Sequence, residues 1–111
     1  MEIKTTHLKR CDLIALTGRF DSSTAPQLEQ AFHASMDEGV FRIVLNVAGV
    51  DFFGSAALRV LIMAYKECRR WNRGDVRLAE VPERMSHVLE LAGVLPLIQT
   101  FDDATLAVGS F

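Results

Sequence analysis

Phe41-Arg42-Ile43-Val44-Leu45-Asn46-Val47, followed after two residues by Val50-Asp51-Phe52-Phe53-Gly54-Ser55-Ala56-Ala57-Leu58-Arg59-Val60, decides the fold, because the hydrophobic rhythm changes across it. Ile43, Val44 and Leu45 are apolar without interruption, the pattern of a strand covered on both faces in the middle of a sheet. From Ser55 onward Leu58, Leu61, Ile62, Tyr65 and Cys68 recur at helical spacing, while Arg59, Lys66, Arg69 and Arg70 lie toward the other side. The expectation is a central strand over Phe41 to Val47, then a long helix from Ser55 to near Trp71, with Gly74 beyond it.

Upstream, Ile3 to Lys9 reads as a short strand, Arg10-Cys11-Asp12 as a tight connection, and Leu13 to Gly18 as a second strand paired with the first in a hairpin. Thr24-Ala25-Pro26-Gln27 has the form of a capping box, which predicts a helix from Ala25 to Glu38 that stops at Gly39. Downstream, Val76 to Val81 alternates as a strand. Pro82 opens a third helix with Met85, Val88, Leu89 and Ala92 as its apolar positions and Gly93 as its stop. Leu97 to Phe101 is a last short strand, and Asp102 or Asp103 can cap a final helical turn through Ala107. The order is ββαβαβαβα. It implies an α/β fold with a mixed, mostly parallel sheet of four to five strands and helices packed against it.

The 111 residues fit one domain, half of them are hydrophobic, and fewer than a quarter are charged, so the chain carries enough apolar material to order itself. A single domain over residues 1–111 is expected. With 12 basic and 14 acidic residues the net charge is −2, and no broad positive field exists to collect nucleic acid or anionic lipid. The one basic cluster, Lys66, Arg69, Arg70 and Arg73, reads as a solvated helix face. Cys11 and Cys68 fit no CxxC pair or zinc spacing and point to a reducing compartment. Met1 to Arg10 lacks the apolar run of a secretory leader, and no stretch approaches the ~20 apolar residues of a membrane span. Cytoplasm and no membrane insertion are the expectations.

Walker-type loops, G-x-G-x-x-G, G-x-S-x-G and H-E-x-x-H are absent from the sequence. His33, flanked by Glu29 and Asp37, and His87, flanked by Glu83 and Glu90, read as salt-bridging helix faces rather than metal sites. No metal or cofactor is expected, and no catalytic residue.

Ser55 is the informative position. As an ordinary helix-capping serine, its hydroxyl would accept from a backbone N–H two or three residues on. As a modification site it would place a phosphate of about −1.5 to −2 charge at the positive end of a helix. Such a dianion would not melt the helix. It would oblige any partner docked on the Phe52-Phe53 pair to desolvate it, at a cost of about 3–5 kcal/mol, or two to four orders of magnitude in affinity.

Gly18-Arg19-Phe20-Asp21 before the first helix, Leu45-Asn46-Val47 leading into Phe52-Phe53-Gly54-Ser55-Ala56-Ala57-Leu58-Arg59-Val60-Leu61, and Val88-Leu89-Glu90-Leu91-Ala92-Gly93-Val94 occur in this order and spacing. Together they resemble STAS domains, the family of the bacterial anti-anti-sigma factors, over essentially the whole chain. The resemblance implies an anti-sigma factor antagonist. An anti-sigma serine kinase, using its own ATP and Mg, would phosphorylate Ser55; the unphosphorylated antagonist would bind that kinase, and a PP2C-like phosphatase would restore this form. It also places Asp21 as an acidic residue near the phosphorylation site, where a plain turn residue is the other reading. The candidate partner-binding residues are Asp21, Phe52, Phe53, Gly54, Ala56 and Arg59, the last either contacting the partner or phosphoserine or facing solvent.

Two positions depart from the family pattern. Many members have Asp before the serine and Gly two residues after it, where this chain has Gly54 and Ala57. Gly54 permits positive φ and removes a charge beside the hydroxyl, while Ala57 suits a helical first turn. The departure at Gly54 motivates a second reading, a constitutive STAS subunit supporting the ATPase of an ABC-type lipid transporter. A third, an enzyme using Asp21 as base and Ser55 as nucleophile, lacks a histidine placed to activate the serine.

Overall fold

A computed structural model describes residues 1–70 and 74–111. The expected end of the second helix near Trp71, and Arg73 of the basic cluster, lie outside the described residues. The elements follow the expected order: β1 (Glu2–His7), β2 (Asp12–Phe20), α1 (Ala25–Asp37), β3 (Arg42–Phe53), α2 (Ser55–Arg70), β4 (Asp75–Ala79), α3 (Glu83–Leu91), β5 (Thr100–Phe101) and α4 (Ala104–Gly109). They form one five-stranded sheet in the order β1-β2-β3-β4-β5. β1 and β2 make the antiparallel hairpin, closed by a bond from the Leu8 N–H to the Cys11 carbonyl of 2.9 Å, and every other pairing is parallel.

β3 explains its own composition. Ile43, Leu45 and Val47 face the main core with Leu28 and Phe32 of α1, Leu61 of α2 and Leu89 of α3. Val44 turns the other way, into a smaller cluster with Cys11, Ala79 and Ala107 of α4. All four β3 side chains are fully buried, and each aliphatic side chain so removed from water contributes about 1.5–3 kcal/mol. Cys11 and Cys68 are buried and free, and burial pushes the Cys68 thiol up to about 12.

Several boundaries differ from expectation. β3 continues six residues past Val47, because β2 extends alongside it and pairs Thr17 with Gly49, Gly18 with Val50, Arg19 with Phe52 and Phe20 with Phe53. Ala48-Gly49 looks like a strand end in isolation. In the sheet, Gly49 serves close approach, since a Cβ there would lie 3.0 Å from Thr17 Oγ1 and 3.1 Å from the Leu16 carbonyl.

The capping box of α1 does not form. The Thr24 hydroxyl makes no bond to the helix N–H groups; it accepts from the Asp21 N–H at 2.9 Å and donates to the Arg19 carbonyl at 3.0 Å. On α3 only Met85 and Leu89 are buried, while Val88 and Ala92 face outward. Gly93 does end that element, at φ +72. The last strand shortens to Thr100–Phe101, because the chain before it turns through a bond from the Leu97 N–H to the Val94 carbonyl. Asp103, not Asp102, caps α4, accepting from the Leu106 N–H at 2.8 Å.

Candidate functional site

β2 and β3 run in parallel and leave the sheet side by side. The Gly54 N–H donates to the Phe20 carbonyl at 2.9 Å, so Asp21 and Ser55, the next residue on each chain, emerge at the same end of the sheet. The Gly54 carbonyl accepts the first helical bond of α2 from the Leu58 N–H at 2.9 Å. Gly54 is therefore the residue that caps α2, and Ser55 is the first residue of the helix. The expectation that the Ser55 hydroxyl caps α2 is not met: the side chain is exposed and, among the described residues, its hydroxyl has no hydrogen-bond partner. Nor is any acidic side chain present in the first turn of α2.

Gly54 does not take a positive φ; Gly18, Gly39 and Gly93 are the glycines that do among the described residues. Its lack of a side chain serves Phe52. A Cβ on Gly54 would stand 2.9 Å from Cε2 and 3.3 Å from Cζ of that ring.

Strand alternation separates the two phenylalanines, which the sequence alone suggests as a joint sticky surface. Phe53 turns inward, 4% exposed, and its ring centroid lies 6.4 Å from that of Phe20. It supports the segment from beneath, with little of its surface exposed. Phe52 is 42% exposed. The Arg19 guanidinium sits 4.5 Å from the centre of its ring, a contact for which nothing in the sequence pattern prepares. The register partner of Phe52 is Arg19, so the pair follows from a cross-strand alignment that exists only once the sheet has formed.

Asp21 is half-buried. It accepts from the Ser23 N–H at 2.9 Å and the Ser23 hydroxyl at 2.6 Å, with the Thr24 N–H at 3.3 Å. These bonds, the Ser23 hydroxyl foremost, hold its carboxyl below the usual carboxylate range. Asp21 therefore both shapes the turn and keeps a negative charge beside the site. On α2, Ala56 is half-buried, Ala57 is buried in the core and Arg59 is exposed, one turn beyond Ser55 on the same face. Beside the site, the end of β3 (Val50–Phe53) and α3 with Pro82 enclose an open cavity of about 420 Å³.

The other candidates lie elsewhere. His33 Nε2 is 3.9 Å from Glu29, a surface pair within α1, and His87 is exposed on α3. Arg69 is drawn to Asp75 at 3.6 Å and over the Tyr65 ring at 5.6 Å. Among the described residues no cluster of His, Cys, Asp and Glu could hold a metal ion, and no helix is long and apolar enough to cross a membrane.

The STAS domain model matches residues 2–107. The chain belongs to the STAS domain family. It is 30% identical over 99 residues to BtrV of Bordetella bronchiseptica, a provisionally named anti-sigma factor antagonist, covering 89% of this chain and 84% of BtrV. The anti-sigma-F factor antagonist RsfB of Mycobacterium tuberculosis is 26% identical over 97 residues, covering 86% of this STAS chain and 80% of RsfB. The crystal structure of an anti-sigma factor antagonist from Mycobacterium paratuberculosis superposes with a TM-score of 0.89 at 19% identity, covering 98% of this chain and 92% of that one. The STAS fold thus stands on both sequence and structure.

Proposed function

We propose that this STAS protein is an anti-sigma factor antagonist that binds an anti-sigma serine kinase while Ser55 is free and is released once Ser55 is phosphorylated. The observation that carries this reading is the exposed Ser55 hydroxyl at the first residue of α2, without a protein partner among the described residues, with Asp21 and Phe52 beside it. In the transfer, the Ser55 oxygen bonds to the γ-phosphorus of the kinase's ATP and the bond to the β–γ bridging oxygen breaks. ADP leaves, and the hydroxyl proton passes to a base of the kinase. The antagonist supplies acceptor and docking surface and no catalysis; ATP and Mg belong to the partner. A PP2C-like phosphatase hydrolyses the phosphoserine and returns the binding form. The similarity to BtrV and RsfB, both named as anti-sigma factor antagonists, supports the class of function.

The test is incubation with candidate anti-sigma serine kinases from the same genome and Mg-ATP, read by intact mass. One phosphate should be added, and Ser55→Ala should abolish it. Incorporation at another residue, or none at all, sinks the reading.

Gly54 favours one alternative, a constitutive subunit of an ABC-type lipid transporter ATPase. Co-purification with such an ATPase, unaffected by Ser55→Glu, selects it.

A further inference from the structure

We propose that Arg19 is the counter-charge of a phosphoserine at position 55, held on the Phe52 ring until the phosphate is made; this rests on Ser55 being the phosphorylated residue. Arg19 and Phe52 are register partners on β2 and β3. The guanidinium lies 4.5 Å from the ring centre, and the same ring occupies the space a side chain on Gly54 would need, at 2.9 Å. One aromatic ring therefore lies against both the cation and the residue that precedes Ser55.

Arg19 is also uncommitted. Among the described residues it has no carboxylate within ion-pair distance and its guanidinium donates no hydrogen bond. Asp21, the nearest acid along the chain, is engaged by Ser23 and Thr24.

The energetics favour a transfer of partner. A cation on an exposed aromatic face is held weakly, whereas a guanidinium and a phosphate form charge-assisted, bidentate bonds. The need for a counter-charge is real at this end of the sheet. Asp21 already places negative charge at the end of the sheet from which Ser55 emerges, and a phosphate adds a dianion. The first N–H groups of α2 offset part of it, and Arg19 offsets more by leaving Phe52. Phosphorylation thereby changes two features of the docking surface together: a dianion appears, and the face of Phe52 loses its cation.

The experiment places phosphoserine co-translationally at position 55, without a kinase, and follows its 31P shift against pH in the full chain. Arg19→Gln should raise the second phosphate pKa by about half a unit relative to the parent, and Arg19→Lys by less. The Arg19 side-chain protons should lose their Phe52 ring-current shift when the phosphate is present. Superimposable titrations of the parent and Arg19→Gln, or a shift produced by Arg59→Gln in place of Arg19→Gln, overturn the proposal. An unchanged amide spectrum for Arg19→Gln shows that the fold is intact. Because the phosphate is installed without an enzyme, a kinase that ignores Ser55 defeats the proposed function and leaves this measurement standing.

Discussion

At the N-terminal ends of the parallel strands β2 and β4, Asp12 and Asp75 are 1% and 4% exposed and fully engaged. At the C-terminal ends of β2 and β3, Arg19, Asp51 and Ser55 stand in solvent. Asp12 accepts from the Ser35 hydroxyl at 2.6 Å and faces His7 Nδ1 at 2.9 Å. Asp75 accepts from the Val76 N–H and from Arg77 Nε, both at 3.0 Å. Among the described residues no buried side-chain polar atom lacks a partner. A polar group taken from water must be bonded or it costs stability, so the buried carboxylates are explained by the fold itself. An exposed hydroxyl that only solvent bonds is not held by the fold in this way, and in open α/β sheets ligands gather at the carboxyl ends of the strands. The contrast teaches which polar residues to assign to architecture and which to recognition.

The sharpest way to break the contrast is to charge the exposed end. A phosphate on Ser55 should lower affinity for the anti-sigma kinase by about two to four orders of magnitude, measured by titration calorimetry, while the urea midpoint moves little. A collapse of the midpoint would put Ser55 on the architectural side.

The reverse experiment removes a buried carboxylate. Asp75→Ala should cost about 3 kcal/mol of unfolding free energy in urea, because Arg77 loses its partner in a largely buried setting, and kinase affinity should hold. A parallel loss of affinity would show that the two ends are coupled.

The smallest effect is the pH dependence of the Asp12 cluster. The hydrogen bond to Asp12 raises the pKa of His7 above its usual value, so protonated His7 favours the folded state. That contribution is complete below the unfolded pKa of about 6.5 and disappears as pH rises through the folded value. The urea midpoint should therefore fall as pH rises above about 6.5, and His7→Gln should flatten that slope.

Much of the fold was legible because it repeats physical rules within short windows. Ile43-Val44-Leu45 announces a strand with two covered faces, Leu58, Leu61 and Tyr65 announce a helix, and Gly39 and Gly93 stop helices at φ +83 and +72. Ser55 was legible for the same reason, as the polar residue where one rhythm gives way to the other. Thr24 misled: its local spacing matches a capping box, but its hydroxyl is drawn away to Asp21 and Arg19. The Phe52-Phe53 pair misled in the same manner, since adjacent strand residues point to opposite faces.

The amino-acid order by itself determined the element sequence, the two-sided burial of β3 and the location of Ser55 at a helix start, because each depends on residues within a turn or two of one another. The tertiary structure alone decided that β3 runs on to Phe53, that Gly54 caps α2 in place of Ser55, and that Arg19 rests on Phe52. Those outcomes depend on the register between β2 and β3, and register comes from pairing segments about thirty residues apart, whose contacts no local pattern encodes.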